Sequence, residues 1–87
     1  MMSEIERLLH LPLEELRAEL SRQVQVRDAI LHDALAYDRA AFAATSDEER
    51  REIRQRADDA MNRLYIQNRD VVWPMEAEIR RRERADR

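Results

Sequence analysis

No glycine, no cysteine and no lysine occur among the 87 residues, and the two prolines stand at positions 12 and 74. Without glycine the chain has no residue that adopts positive φ freely, which argues against tight hairpins and so against a β-sandwich. Without cysteine it can form no disulfide, no thiolate zinc site and no thiol nucleophile. All sixteen basic residues are arginine, so no side-chain amine is present for Schiff-base chemistry or acetylation. No apolar run approaches membrane-spanning length, and the opening MMSEIERLLHLPLEEL lacks the basic region and long apolar core of a secretory signal. A cytoplasmic location with no membrane partner is therefore expected. The net charge of −3 gives no general attraction to nucleic acid or acidic lipid.

Apolar residues make up 44% of the chain, enough for a core, and the 40% of charged residues suits helices with solvated outer faces. The expected fold is all-α, one domain over residues 1–87. Ser3-Glu4-Ile5-Glu6 reads as a capping box opening a short helix over 3–10. Pro12 disfavours helical geometry at Leu11 but suits the first turn of the next helix, 12–44. Ser46-Asp47-Glu48-Glu49 is a second capping box, and it starts a helix over 47–72. Pro74 removes an amide from the ladder, so a C-terminal helical segment, 74–86, is expected beyond a kink.

Helical periodicity places Leu13, Leu20, Val24, Leu31, Leu35 and Phe42 on one stripe of the first long helix. On the second it places Ile53, Ala57, Ala60, Leu64, Val71, Met75 and Ile79. Folding the chain about residues 45–46 brings Leu16 opposite Met75, Leu20 opposite Val71, Leu31 opposite Ala60 and Leu35 opposite Ala57. The two stripes meet, and an antiparallel helical hairpin with long arms is the reading. The spacing drifts from a strict heptad, so a long regular coiled coil is not expected. Asp47/Arg51, Glu52/Arg56, Asp59/Arg63, Glu76/Arg80 and Glu78/Arg82 have the i,i+4 spacing of helix-face ion pairs. Asp38, Arg27 and Asn68 interrupt the apolar faces. An arginine at 50, 54 or 56 could meet Asp38, and Asn68 opposite Gln23 could pin the register.

Each long helix carries more apolar surface than one neighbour can cover. Ile30, Tyr37, Met61 and Tyr65 are the residues expected to build an oligomer, as a homodimer or with an obligate protein partner. Either would complete a four-helix bundle. The chain's one tryptophan, Trp73, with Ile66 and Arg69 nearby, has the composition of a protein-binding hot spot. The competing structural reading tucks Trp73 into the hairpin base near Leu13 and Ala18 after a turn at Pro74.

Residues 80–87 carry five arginines against Glu83 and Asp86. Arg80, Arg81, Arg82 and Arg84 are therefore candidate nucleic-acid contacts, the alternative functional reading. Interleaved acids and the absence of nearby aromatics weaken it, and arginine in a last helical turn also complements the helix dipole. Asp28 and His32, with Asp33, Asp58 and Asp59, have i,i+4 and facing-helix spacing for a metal, but His32 falls toward the polar side, so no metal or other cofactor is expected. The stretch LEELRAELSRQVQVRDAILHDAL resembles the first helix of the all-helical chorismate mutases. That resemblance implies a dicarboxylate site with several convergent cationic groups including a lysine, which this chain lacks. No phosphate-cradling loop or nucleophile–base pair is legible either. The expectation is a non-enzymatic, small bacterial or phage-type interaction protein with no small-molecule substrate, working as an accessory subunit, assembly factor or inhibitor.

Overall fold

The computed structural model describes residues 2–86. They form α1 (Glu4–Leu9), α2 (Leu13–Ala43), α3 (Asp47–Gln67) and α4 (Trp73–Ala85), with a π-helical turn at Asn68–Val72 between α3 and α4. No described residue lies in a strand. α2 runs antiparallel to the continuous rod α3–π-turn–α4, making a hairpin 57 Å long and 16 Å across its thinnest axis. Ser3 and Ser46 cap α1 and α3 as their sequence context predicts: each hydroxyl accepts the amide three residues on, Glu6 at 3.3 Å and Glu49 at 3.1 Å. No helix is long and apolar enough to cross a membrane among the described residues.

The packed seam of α2 is regular. Leu13, Leu16, Leu20, Gln23, Arg27, Ile30, Ala34, Tyr37, Ala41 and Ala44 are each buried or half-buried, at alternating spacings of three and four. Arg50, Ile53, Ala57, Ala60, Leu64, Gln67 and Val71 repeat the alternation on the other arm. This is the heptad pattern of helices coiled about each other, where a drifting period was expected. The 100° wheel averaged two rows, and three members of the expected core stripe, Leu31, Leu35 and Phe42, are exposed. Ala34 and Ala41 on one arm, with Ala57 and Ala60 on the other, take the buried positions instead. Small side chains on both arms let the backbones approach closely, so the buried positions of the tip half are alanines, with Ile30, Tyr37 and Ile53 half-buried between them.

The base is built differently. Leu16, Met75 and Ile79 form the buried cluster, and Ile5, Leu8, Leu9, Leu11, Leu13, Leu20 and Val71 pack around it. The π-turn makes this cluster accessible to the rod. Continuing the three–four alternation past Val71 without interruption would turn Pro74, Glu78 and Arg81 inward. The extra residue accommodated by the π-turn moves the seam to Met75, Ile79 and Arg82, which are buried or half-buried. Pro74, with no amide to offer Asp70, sits just beyond, and the Trp73 amide bonds the Asn68 carbonyl five residues back. The expected kink at Pro74 is thus a π-turn that ends at the residue before Trp73, and the rod stays helical through the proline.

Candidate protein-docking face

Gln67 crosses the seam and donates to Gln23 Oε1 at 2.7 Å. This half-buried pair replaces the expected Asn68–Gln23 contact one residue away. The side-chain oxygen Oδ1 of Asn68 is left buried with no hydrogen-bond partner among the described residues. Ile30 and Tyr37, expected to flank the seam and build an oligomer, lie within it and are half-buried. Met61 and Tyr65, their expected companions, are exposed.

The fixed seam also decides which exposed residues share a side. In an antiparallel pair, the positions that follow the second seam residue of each heptad meet across the same flank. Arg17 and Glu83 occupy two such positions and bridge the arms at 3.2 Å. Stepping by heptads from the Gln23–Gln67 contact, and taking the residue that follows each seam position, sets Leu31 level with Met61 and Asp38 level with Arg54. Leu35 and Phe42 continue the row one helical turn further on α2, and Tyr65 does so on α3. Phe42, the sole phenylalanine, is 93% exposed near the hairpin tip.

Trp73 closes the row at the base. It is 49% exposed and meets Tyr65 edge to face, with ring centroids 6.4 Å apart and planes at 85°. The Arg69 guanidinium stands 5.4 Å from the Tyr65 ring centre. Arg69 also donates to both Asp70 oxygens, at 2.7 and 3.1 Å, and holds that carboxyl below its ordinary range. Trp73 is therefore neither tucked near Leu13 nor grouped with Ile66 as the straight wheel suggests. Each residue of a π-turn advances the helix by a smaller angle, so five of them carry Trp73 off the line of Ile66 and onto that of Tyr65. Ile66 is exposed in its own right. The exposure of Leu31, Leu35 and Phe42 was hidden from the periodicity. The signal that could have found it is the heptad spacing of Ala34 and Ala41 on one arm and the three-residue spacing of Ala57 and Ala60 on the other.

The C-terminal arginines divide. Arg82 donates to the carbonyl oxygens of Leu9 and Leu11, both at 2.5 Å, and to Glu78 at 2.9 Å. Arg81 forks onto Glu78 at 3.0 and 2.6 Å. Arg80 and Arg84 are exposed, and among the described residues the Arg84 side chain donates only to the Arg80 carbonyl, at 3.4 Å. Two of the four candidate phosphate contacts are thus occupied by the fold. Among the expected i,i+4 pairs, only Glu78/Arg82 closes in the described residues; Asp47 pairs with Arg50 instead. Asp38 meets none of Arg50, Arg54 or Arg56.

Hydrogen bonds from Arg81, and then Arg82, push the Glu78 carboxyl from 4.5 down to about 2. A depressed folded value means the contribution to stability is complete above the ordinary carboxylate range. It is lost as pH falls from there toward 2. An NMR titration of the Glu78 carboxyl is expected to show its midpoint near 2. A midpoint at 4.5 would show that neither arginine engages it in solution.

A cavity of about 160 Å³ lies between α1 and the seam, lined by Glu4, Ile5, Leu8, Gln23, Gln67 and Val71. That is below the usual size of a metabolite pocket. No group of three His, Asp or Glu side chains converges to hold a metal ion among the described residues. Compared with known proteins, the chain matches no family model, no curated protein and no solved structure.

Proposed function

We propose that this chain is a non-enzymatic protein-docking module that acts by helix-to-helix contact, as an accessory subunit, assembly factor or inhibitor. The observation that carries this reading is the apolar row from Phe42 through Leu35, Leu31, Met61 and Tyr65 to Trp73, which the chain leaves exposed. Leaving such side chains in water forfeits about 1.5–3 kcal/mol for each one that could be fully buried. The seam of the tip half is filled by Ala34, Ala41, Ala57 and Ala60 with Ile30, Tyr37 and Ile53, which leaves these side chains outside it. At the base end, the Tyr65–Trp73 pair with Arg69 offers rigid aromatic edges and a guanidinium, the composition that dominates protein-binding energetics. The arginine-tail alternative is weakened by the engagement of Arg81 and Arg82 within the fold.

The test is photo-crosslinking in the cell that makes the protein, with benzoylphenylalanine placed at Phe42 or Trp73 and, as a control, at exposed Ala36. Discrete protein adducts are expected from the two face positions and none above background from position 36. Adducts of equal strength at all three, or none at 42 and 73, would end the docking reading.

A further inference from the structure

We infer that the occupant of this face is a second copy of the chain, docked with both hairpin tips at the same end so that α2 of each copy lies along α3 of the other. The inference rests on the docking reading and names its partner. The argument is the distribution of charge across the apolar row. On the α2 side the row is interrupted by Asp28 and Asp38; on the α3 side it is bordered by Arg51 and Arg54, with Asp58 one turn beyond Arg54. Among the described residues neither Asp38 nor Arg54 takes part in an ion pair, and Asp28 has only a 3.5 Å contact with its neighbour Arg27.

Two faces of this kind can be brought together by a two-fold axis in two ways. An axis across the helices stacks α2 on α2 and α3 on α3. With the axis at the middle of the row it sets Asp28 of each copy against Asp38 of the other, which association disfavours, and carries Arg51 and Arg54 away from both aspartates. An axis along the helices stacks α2 on α3 at unchanged height. Because Asp38 and Arg54 stand at the same level within one hairpin, each Asp38 then meets Arg54 of the other copy. Leu31 meets Met61, and Phe42 meets Arg51, by the same rule. Every helix gains an antiparallel neighbour, the arrangement of a four-helix bundle, and the contact is isologous.

The experiment is light scattering on the wild-type chain, on D38R, on R54D, and on an equimolar mixture of the two variants. A wild-type particle of twice the 10.4 kDa chain mass is expected. Each variant alone sets like charges together at both symmetric contacts and is expected to associate roughly tenfold more weakly. In the mixture both contacts become Arg–Asp again, so association is expected to return as a heterodimer. Both positions are exposed, and circular dichroism of each variant confirms that the helices persist. A spin label on Thr45→Cys, the only thiol in that variant, reports the orientation. The two labels are expected close together, whereas an opposed dimer would separate them by a distance approaching the 57 Å length of the hairpin. A long distance, or a mixture that associates no better than its components, overturns the arrangement. A wild-type monomer overturns the second copy as occupant. If adducts to another protein still form at Phe42 or Trp73, the docking reading survives that result; if none form, both fail.

Discussion

Replacing Leu16 by alanine is expected to cost about 3 kcal/mol and to lower the melting temperature by on the order of 15 °C. Leu16 is 0% exposed and is the large buried side chain that α2 contributes to the cluster with Met75 and Ile79. The fully buried positions of the tip half are alanines, which have few methylenes to lose. Burial of large side chains is concentrated at the base, where α1, α2 and α4 converge. A domain of this size has only about 5 kcal/mol or a little more in hand, so the variant keeps about 2 kcal/mol, stays mostly folded at ambient temperature and unfolds at a much lower urea concentration. Phe42→Ala is the matched comparison. At 93% exposure its loss should stay within about 0.5 kcal/mol in the monomer. Urea melts of both variants, at a concentration low enough to keep the chain monomeric, make the check. Equal losses would mean that Phe42 packs within its own chain and that the docking face is not free.

The contrast between those residues explains what the sequence could and could not say. The helices, their serine caps and the antiparallel pairing rest on local signals: capping boxes, proline position and the meeting of two apolar stripes. Leu16 does join Met75 in the core, as the pairing about residues 45–46 requires. Which of two adjacent rows becomes the seam is a different question. Leu31 and Ala34 are both apolar and differ by less than a helical turn, so hydrophobicity favours the leucine. Packing favours the alanine, because two arms that both present alanine come closer than two that present leucine. That choice depends on both helices at once, and a wheel drawn for one cannot show it. The same holds for Trp73. Its place beside Tyr65 depends on a π-turn whose cause is collective: a proline with no amide to give, and Met75 and Ile79 needing to face Leu16.

The π-turn therefore links the core to the docking face. The phase change that rotates Met75 and Ile79 inward also rotates Trp73 into the line of Tyr65. The stability of the base and the geometry of the aromatic pair are set by one backbone feature. Substitutions that restore an uninterrupted α-helix here would disturb both.

Arg82→Ala is expected to release α1 from the hairpin. The Arg82 guanidinium joins Leu9 and Leu11 across more than seventy residues of sequence, and it satisfies carbonyls that the end of α1 and the turn before Pro12 leave without helical partners. Hydrogen bonds from a charged donor to half-buried carbonyls of this kind contribute about 2 kcal/mol together once solvent screening is allowed for. α1 has six residues, too few to persist as an isolated helix. Its loss would uncover Ile5, Leu8 and Leu9, so the amides of α1 should exchange rapidly while those around Ala34 and Ala57 keep their protection. Protease should also cut between His10 and Leu13. Arg82→Lys is the informative control. An ammonium is a point donor and cannot hold both carbonyls and Glu78 in the geometry of a planar fork, so partial release is expected. Unchanged protection of α1 in the alanine variant would show that apolar packing alone holds the helix. An oligonucleotide contact at Arg82 would then become a live reading, because the guanidinium would be free to leave α1 at little cost.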